Sequence, residues 1–295
     1  MFVSKYAATY FSQRGYDVSV LNRNSRAQVE GVTLIEADRH HVKDALSGKA
    51  FDAVIDITAY IQADVEDFVP AISDFGTYVM ISSSAVYPET EQQPFVEECT
   101  LGKNFYWGKY GTDKIAAEKQ LLEMVPDAYI IRPPYLYGPM NNVYREAFVF
   151  DCAMANRKFY LPKDGGMKLQ FFHVRDLCRV IEKIIETKPL EHIYNVGNES
   201  PVTIRNWVEL CYKCAHKEPE FVHVSDEIEQ RKYFSFYNYE YLLDVEKQKA
   251  LLGETTDLTE GLQECFEWYQ QNRPEVIQKP LIQFIDDNLA CDGGE

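Results

Sequence analysis

Residues 77–88 read "TYVMISSSAVYP", an apolar run that ends in three serines. A strand that is apolar at successive positions is covered on both faces, as in a parallel sheet sandwiched by helices. Similar runs lie outward on either side. They are "DVSVL" (17–21), "VTLIE" (32–36), "FDAVIDI" (51–57) and "AYIIR" (128–132), then "LQFFHV" (169–174) and "HIYNVG" (192–197). Helical patterning separates them at 2–14, 61–75, 110–124, 145–156 and 175–187. Strands alternating with helices predict right-handed βαβ units and a doubly wound, mostly parallel α/β sheet of Rossmann-like type. After Gly197 the pattern changes. The stretches 201–216, 244–253 and 258–272 predict helices with Thr or Asp near their starts. Residues 1–138 and 167–197 are therefore expected to build the sheet unit. Residues 139–166 and 198–295 are expected to form a smaller, mixed C-terminal cap.

The 295 residues are 46% apolar and 26% charged, an ordinary globular composition with 20 Tyr and 17 Phe for a packed core or a lined pocket. The net charge of −16 argues against a nucleic-acid partner, whose binding rests on Lys and Arg neutralising phosphates. Seven cysteines (99, 152, 178, 211, 214, 265 and 291) are odd in number and scattered, with no secretory leader pattern ahead of them. That usage predicts a reducing, cytoplasmic setting. No apolar run reaches the ~18 residues of a membrane span. Cys211 and Cys214 form a lone CxxC inside an amphipathic helical pattern. No second pair completes a metal site, so none is expected.

The chemistry concentrates in "ISSSAVYP" (81–88) and "YGTDKIAAEK" (110–119). Tyr110 and Lys114 stand four apart, one turn along the same helix face. A tyrosine loses its proton near pH ~10, and a nearby ammonium favours the phenolate. A shift of ~3 units toward neutrality corresponds to ~4 kcal/mol and would make Tyr110 a general acid or base. A serine at the end of the strand at 77–83 is positioned to hydrogen-bond the substrate oxygen. Strand ends are where open α/β sheets bind ligands.

These stretches occur in order with "VLNRN" (20–24), "EADRHH" (36–41), "FDAVIDITAY" (51–60), "IIRPPYLYGP" (130–139), "FFHVRDLC" (171–178), "YNVGNESPVTI" (194–204), "LDVEKQKALLG" (243–253) and "LTEGLQECFEWY" (258–269). Together the chain resembles the extended short-chain dehydrogenase/reductases, the NAD-dependent epimerase/dehydratase family, nearly end to end. The resemblance implies a catalytic set of Ser83, Tyr110 and Lys114, with Lys114 also holding the nicotinamide ribose. It assigns Asp38 to the adenine amino group, Thr58 and Ala59 to the cofactor ribose, and Pro133 and Pro134 to the nicotinamide. Ser84 and Tyr135 are its substrate contacts. The second strand ends in "LNRN" and lacks the usual acidic residue for the adenosine ribose. Arg23, with Arg26, is placed to meet a 2′-phosphate, which tips the choice between NAD and NADP toward NADP.

The same resemblance expects an opening strand and a GxxGxxG turn just before "FVSKYAATYF", with Ser4 at the last glycine. Those glycines let the backbone approach the pyrophosphate. Without them the chain is expected to bind dinucleotide poorly, and the strands flanking the missing one to lack a partner. The implied activity, in a full-length form that carries this strand and turn, is hydride transfer at a hydroxyl or carbonyl carbon, by an epimerase, dehydratase or reductase. A nucleotide sugar is the first substrate class, although Leu169 stands where such enzymes often carry arginine. Lys163 and Lys168 are candidates for its phosphate. A homodimer through the Tyr110 helix is expected. The alternative is a truncated, non-catalytic relative serving as a binding or scaffold protein.

Overall fold

The protein is described here by a computed structural model of residues 2–290; Cys291 lies outside them. Helix α1 (Phe2–Gln13) leads to β1 (Ser19–Asn22), β2 (Thr33–Glu36), α2 (Lys43–Leu46), β3 (Ala50–Asp56), α3 (Gln62–Phe68), β4 (Asp74–Ile81), α4 (Lys109–Met124) and β5 (Tyr129–Arg132). The chain continues through β6 (Tyr135–Tyr137), α5 (Glu146–Met154), β7 (Phe159–Pro162), β8 (Lys168–Leu169), β9 (Phe171–His173), α6 (Val174–Thr187) and β10 (Ile193–Asn195). The last elements are β11 (Val202–Thr203), α7 (Ile204–Cys214), β12 (Phe221–Val224), α8 (Glu246–Leu252), α9 (Leu258–Asn272) and α10 (Leu281–Asn288). Among the described residues no helix is long and apolar enough to cross a membrane.

The expected doubly wound α/β architecture is present, with its sheet in two parts. Strands β10-β5-β4-β3 form one parallel sheet, and β1 pairs with β2 in a separate parallel ribbon. Hydrogen bonding breaks between β1 and β3, where the resemblance places the family's first strand. The pleat of β4 sends Tyr78 and Met80 to one face and Val79 and Ile81 to the other. Tyr78 and Met80 pack with Ile130, Ala117 and Leu121, against α3 and α4. Val79 and Ile81 pack with Ile131, Leu177, Ile181, Ala7 and Phe11, against α1 and α6. The serines that follow β4 therefore emerge at the strand-end rim between the two layers.

Two expected elements break where a side chain or ring interrupts the pattern. The helix predicted at 61–75 ends at Phe68, and a single 3-10 turn carries Val69–Ala71 with Pro70 near its start. A proline in a helix interior removes one hydrogen bond and clashes with the preceding turn. The strand predicted at 169–174 divides at Gln170, whose amide binds the carbonyls of Asn198 and Leu243 and accepts from the Leu243 N–H.

A third apolar cluster joins α5, α7 and α9 around Trp207, Phe150, Phe171 and Phe266. Cys211 and Cys214 are buried packing positions on α7, and burial raises both thiols. They fill the core as thiols, in line with the amphipathic-helix reading of this CxxC.

His173 joins the two halves and carries a pH-dependence. It is fully buried, and its Nδ1 accepts from the Arg175 N–H at 3.2 Å to cap α6. Nε2 therefore carries the proton, with Glu264 3.7 Å away. Burial lowers the His173 pKa to about 4 from 6.5. An unfolded histidine binds its proton below about 6.5 while the folded one refuses it until about 4, so stability is lost as pH falls through that window. The full contribution is about 3 kcal/mol at 1.36 kcal/mol per unit. His173→Asn keeps a capping acceptor but does not titrate. Its urea-unfolding free energy should lose this limb between those pH values; a slope identical to that of the wild type would rule the assignment out.

Candidate active site

Three strand ends and one helix converge on the rim. The segment after β3 supplies Thr58, Ala59 and Tyr60, the segment after β4 supplies Ser82–Ser84, and Pro133–Tyr135 follow β5. Ser83 opens a 3-10 turn, its hydroxyl accepting from the Ala85 N–H at 3.2 Å. The Ser84 N–H donates to the Pro133 carbonyl at 3.0 Å, tying the two loops together. Gly111 lets α4 approach this turn, since a Cβ there would collide with the Ala85 carbonyl. That approach brings Tyr110 beside Ser83.

Tyr110 is 40% exposed at the rim. Desolvation at its hydroxyl raises its pKa, and hydrogen bonding with Ser83 partly opposes the rise. Lys114 does not contribute, which corrects the expected lowering by the ammonium one turn away. Instead Lys114 is 1% exposed, and its Nζ donates to the carbonyls of Ala59 (2.7 Å) and Ile81 (2.9 Å). Its ammonium also lies 4.8 Å from the centre of the Tyr60 ring, and Tyr60 in turn lies 6.5 Å from the Tyr110 ring. Burial lowers the Lys114 pKa to about 8. Ser83 and Tyr110 thus meet, while Tyr60, which no sequence pattern singled out, stands between Tyr110 and Lys114.

Beneath the rim lies a buried polar chain. Glu118, one turn after Lys114, accepts from the Ser82 hydroxyl and from Arg132 at 3.1 and 2.7 Å. Arg132 also donates to the Tyr87 hydroxyl (2.8 Å) and the Glu97 carbonyl (3.1 Å). Tyr87 donates to Asn195 at 2.7 Å. The chain pins α4 to the ends of β4, β5 and β10, so it holds Tyr110 and Ser83 in register. "YGTDKIAAEK" and "IIRPPYLYGP" contain Glu118 and Arg132, but nothing in either stretch says that they face each other.

On the other side of the cleft, Ser84 is buried and hydrogen-bonds Tyr241, whose ring packs edge-on to Tyr135 at 5.3 Å. Arg145 stacks over Tyr135 at 5.4 Å and Arg231 over Tyr237 at 4.7 Å. Lys279 completes a group of three cations. Burial and the charges of Arg231 and Arg145 lower its pKa. None of the three forms a contact ion pair among the described residues. Glu146 feels Arg145 but bonds Asn141 at 2.9 Å. Lys163, by contrast, is paired with Asp226 at 3.0 Å, and Lys168 is exposed on β8. The cations that gather come from three separate segments, which spacing could not announce.

Toward the β1–β2 ribbon, Asp38 and Arg23 lie 3.7 Å apart, so the two residues expected to read opposite ends of the adenosine pair with each other. A hydrogen bond from the His40 N–H, then Arg23, hold the Asp38 carboxyl below its ordinary range. Arg26 is exposed. The Thr58 hydroxyl accepts from Arg39 at 3.0 Å, and Arg39 is anchored on Asp56 at 2.8 Å. Ala59 is fully buried and offers its carbonyl to Lys114; Pro133 and Pro134 are buried under the cleft floor.

The chemistry of these donors fits the nicotinamide-ribose end of a dinucleotide. An exposed phenol and a buried ammonium with one donor free of backbone carbonyls are suited to ribose hydroxyls. Among the described residues no glycine-rich turn serves the pyrophosphate.

Comparison with known proteins agrees with the sheet. A model of the NAD dependent epimerase/dehydratase family matches residues 2–197. The chain is 30% identical over 237 residues to the chloroplast stem-loop binding protein of 41 kDa b of Arabidopsis thaliana, covering 78% of this chain and 61% of that protein. It is 28% identical over 235 residues to a probable GDP-L-fucose synthase 1 of Oryza sativa subsp. japonica, covering 72% and 68%. The chain thus spans about three fifths of the first relative. Its fold is similar to that of a UDP-glucose 4-epimerase of Thermotoga maritima solved with UDP-glucose, with a TM-score of 0.73, 17% identity, and 92% and 96% of the two chains covered. It is also similar to that of the dTDP-glucose 4,6-dehydratase of Bacillus anthracis in complex with NAD, with a TM-score of 0.71, 18% identity and 95% and 96% covered. At those identities the likeness is one of fold. With the family match running through every rim segment, the chain belongs to the NAD-dependent epimerase/dehydratase family.

Proposed function

We propose that the chain is an NAD(P)-dependent oxidoreductase of the epimerase, dehydratase or reductase type, acting at a hydroxyl or carbonyl carbon of a nucleotide sugar. One observation carries the reading: a serine hydroxyl and a half-exposed phenol meet at a strand-end rim, with a buried ammonium behind them and, beyond Tyr135 and Tyr237, three cations that lack a contact ion pair among the described residues. Bound dinucleotide supplies the hydride donor or acceptor. Ser83 holds the substrate oxygen. Tyr110, whose raised pKa keeps its proton at neutral pH, donates to that oxygen as general acid when a carbonyl is reduced. Lys114 holds the ribose hydroxyls, and Asp38 and Arg23 flank the adenosine end, with Arg23 the candidate for the 2′-phosphate of NADP. Residues 139–166 and 198–290 close the cleft as its cap, and Arg145, Arg231 and Lys279 receive the diphosphate. The homodimer expected through α4 belongs to the same reading.

A second reading is a binding or scaffold protein without catalysis. Lys114 is engaged by two carbonyls and a ring, and a relative at 30% identity is named for binding a stem-loop. The net charge of −16 argues against carrying that RNA binding to this chain.

Binding measurements separate the two readings. Calorimetry with UDP-glucose should register binding that falls about tenfold in Lys279→Ala and in Arg145→Ala, the loss of one charge-assisted contact. Unchanged UDP-glucose binding in both variants would remove the nucleotide-sugar assignment.

A further inference from the structure

We infer that Tyr60 is a gate over Lys114, and that its side chain must swing aside before any ligand hydroxyl can reach the ammonium. The inference rests on the reading of Lys114 as the diol-holding group.

The ammonium is enclosed on all the sides that the structure defines. The carbonyls of Ala59 and Ile81 take two of its donors at 2.7 and 2.9 Å, and the Tyr60 ring lies over it at 4.8 Å. With 1% of Lys114 exposed, the ammonium is closed to solvent in this state, and the Tyr60 ring is the side chain recorded over it. A ring in that place also shields the cation electrostatically, since the negative face of an aromatic ring attracts an ammonium. Tyr60 therefore covers in the closed state the third donor of the ammonium, which a ligand hydroxyl would take in the open one.

The backbone beneath the ring is held and the ring itself is not. The N–H groups of Tyr60 and Ile61 both donate to Asp64 Oδ2, at 2.7 and 2.9 Å, and the carbonyl of Ala59 is fixed by Lys114 itself. The Tyr60 hydroxyl makes no hydrogen bond among the described residues, and the side chain is 47% exposed. Rotation about its side-chain bonds breaks the contact with the cation and the tilted contact with Tyr110, and no hydrogen bond that the structure records. A pinned loop bearing a loosely held ring is the construction of a side-chain gate. A residue that must leave before binding lowers apparent affinity by the fraction of molecules that are open.

Access to Lys114 can be read without any cofactor. The reagent is N-acetoxysuccinimide on the full chain at pH 8.5, with acetylation at Lys114 followed by peptide mass spectrometry and exposed Lys119 as the internal reference. Tyr60→Ala should acetylate Lys114 at least tenfold faster than wild type. Tyr60→Phe, which keeps the ring, should stay within twofold of wild type. Equal rates in wild type and Tyr60→Ala would overturn the gate, as would a Tyr60→Phe rate matching that of Tyr60→Ala. Because Tyr60 is half-exposed, a variant that has merely unfolded is recognised by modification of its buried thiols, and Tyr60→Leu then replaces it under the same criteria. Millimolar NADH titration of the same variants tests the underlying reading: tighter binding to Tyr60→Ala than to wild type supports both. Faster acetylation with no NADH binding to either protein leaves the gate standing and removes the cofactor role of Lys114.

Discussion

Tyr110→Phe is expected to leave the fold intact and to cut turnover of a nucleotide-sugar substrate by roughly 10²–10⁴-fold, the usual worth of a positioned proton donor. The ring contact with Tyr60 survives the substitution, so only the hydroxyl is lost. Proton transfer is made in the transition state, so kcat should fall while the substrate KM stays near that of the wild type. With turnover measured at saturating cofactor, activity within threefold of wild type would end the proposed role of Tyr110. The pH profile carries a sign as well. Desolvation raises the phenol pKa, so its proton is retained through neutral pH. Carbonyl reduction should therefore hold across neutrality and decline only on the alkaline side, as the phenol ionises. A declining acid limb assigned to Tyr110 would contradict this order.

The second large effect is on stability. Glu118 and Arg132 form a buried ion pair, with 2% of each residue exposed. Removing one partner of such a pair typically costs about 3–5 kcal/mol, because the other charge stays buried without compensation. Glu118→Ala should lower the urea-unfolding free energy by about that amount. Glu118→Leu combined with Arg132→Leu should cost less than the sum of the two single changes, since residues within one network do not act additively. A loss below about 1 kcal/mol in Glu118→Ala would mean that solvent screens the pair as it screens surface pairs. The pair also links the Ser82 hydroxyl to α4, so Glu118→Gln is a sharper probe of positioning. It should depress kcat more than it depresses the unfolding midpoint.

Much of this molecule was legible because the signals are local. The run at 77–88 is apolar on both faces, and β4 emerged between two helical layers. The spacing of Tyr110 and Lys114 predicted a shared helix, and α4 spans both. Glycine at 111 has a reason that appears only in three dimensions, the nearby Ala85 carbonyl. Short elements escaped notice. Strands β6, β7, β11 and β12 have two to four residues and lie outside the apolar runs that announced the equally short β1, β2, β5 and β10.

The periodicity and order of apolar runs determined the fold class, because burial on two faces and alternation of strand with helix are written in consecutive residues. The residue types and their family pattern determined which serine, tyrosine and lysine gather at the strand ends. What the ammonium touches was decided only by tertiary structure. Lys114 faces two carbonyls and the ring of Tyr60, which lies 54 positions away in the chain. The three cations across the cleft come from residues 145, 231 and 279. Partners that distant carry no spacing signal, and a pKa depends on the solvent and charges that the folded chain leaves around a group, so both emerge only when the layers close.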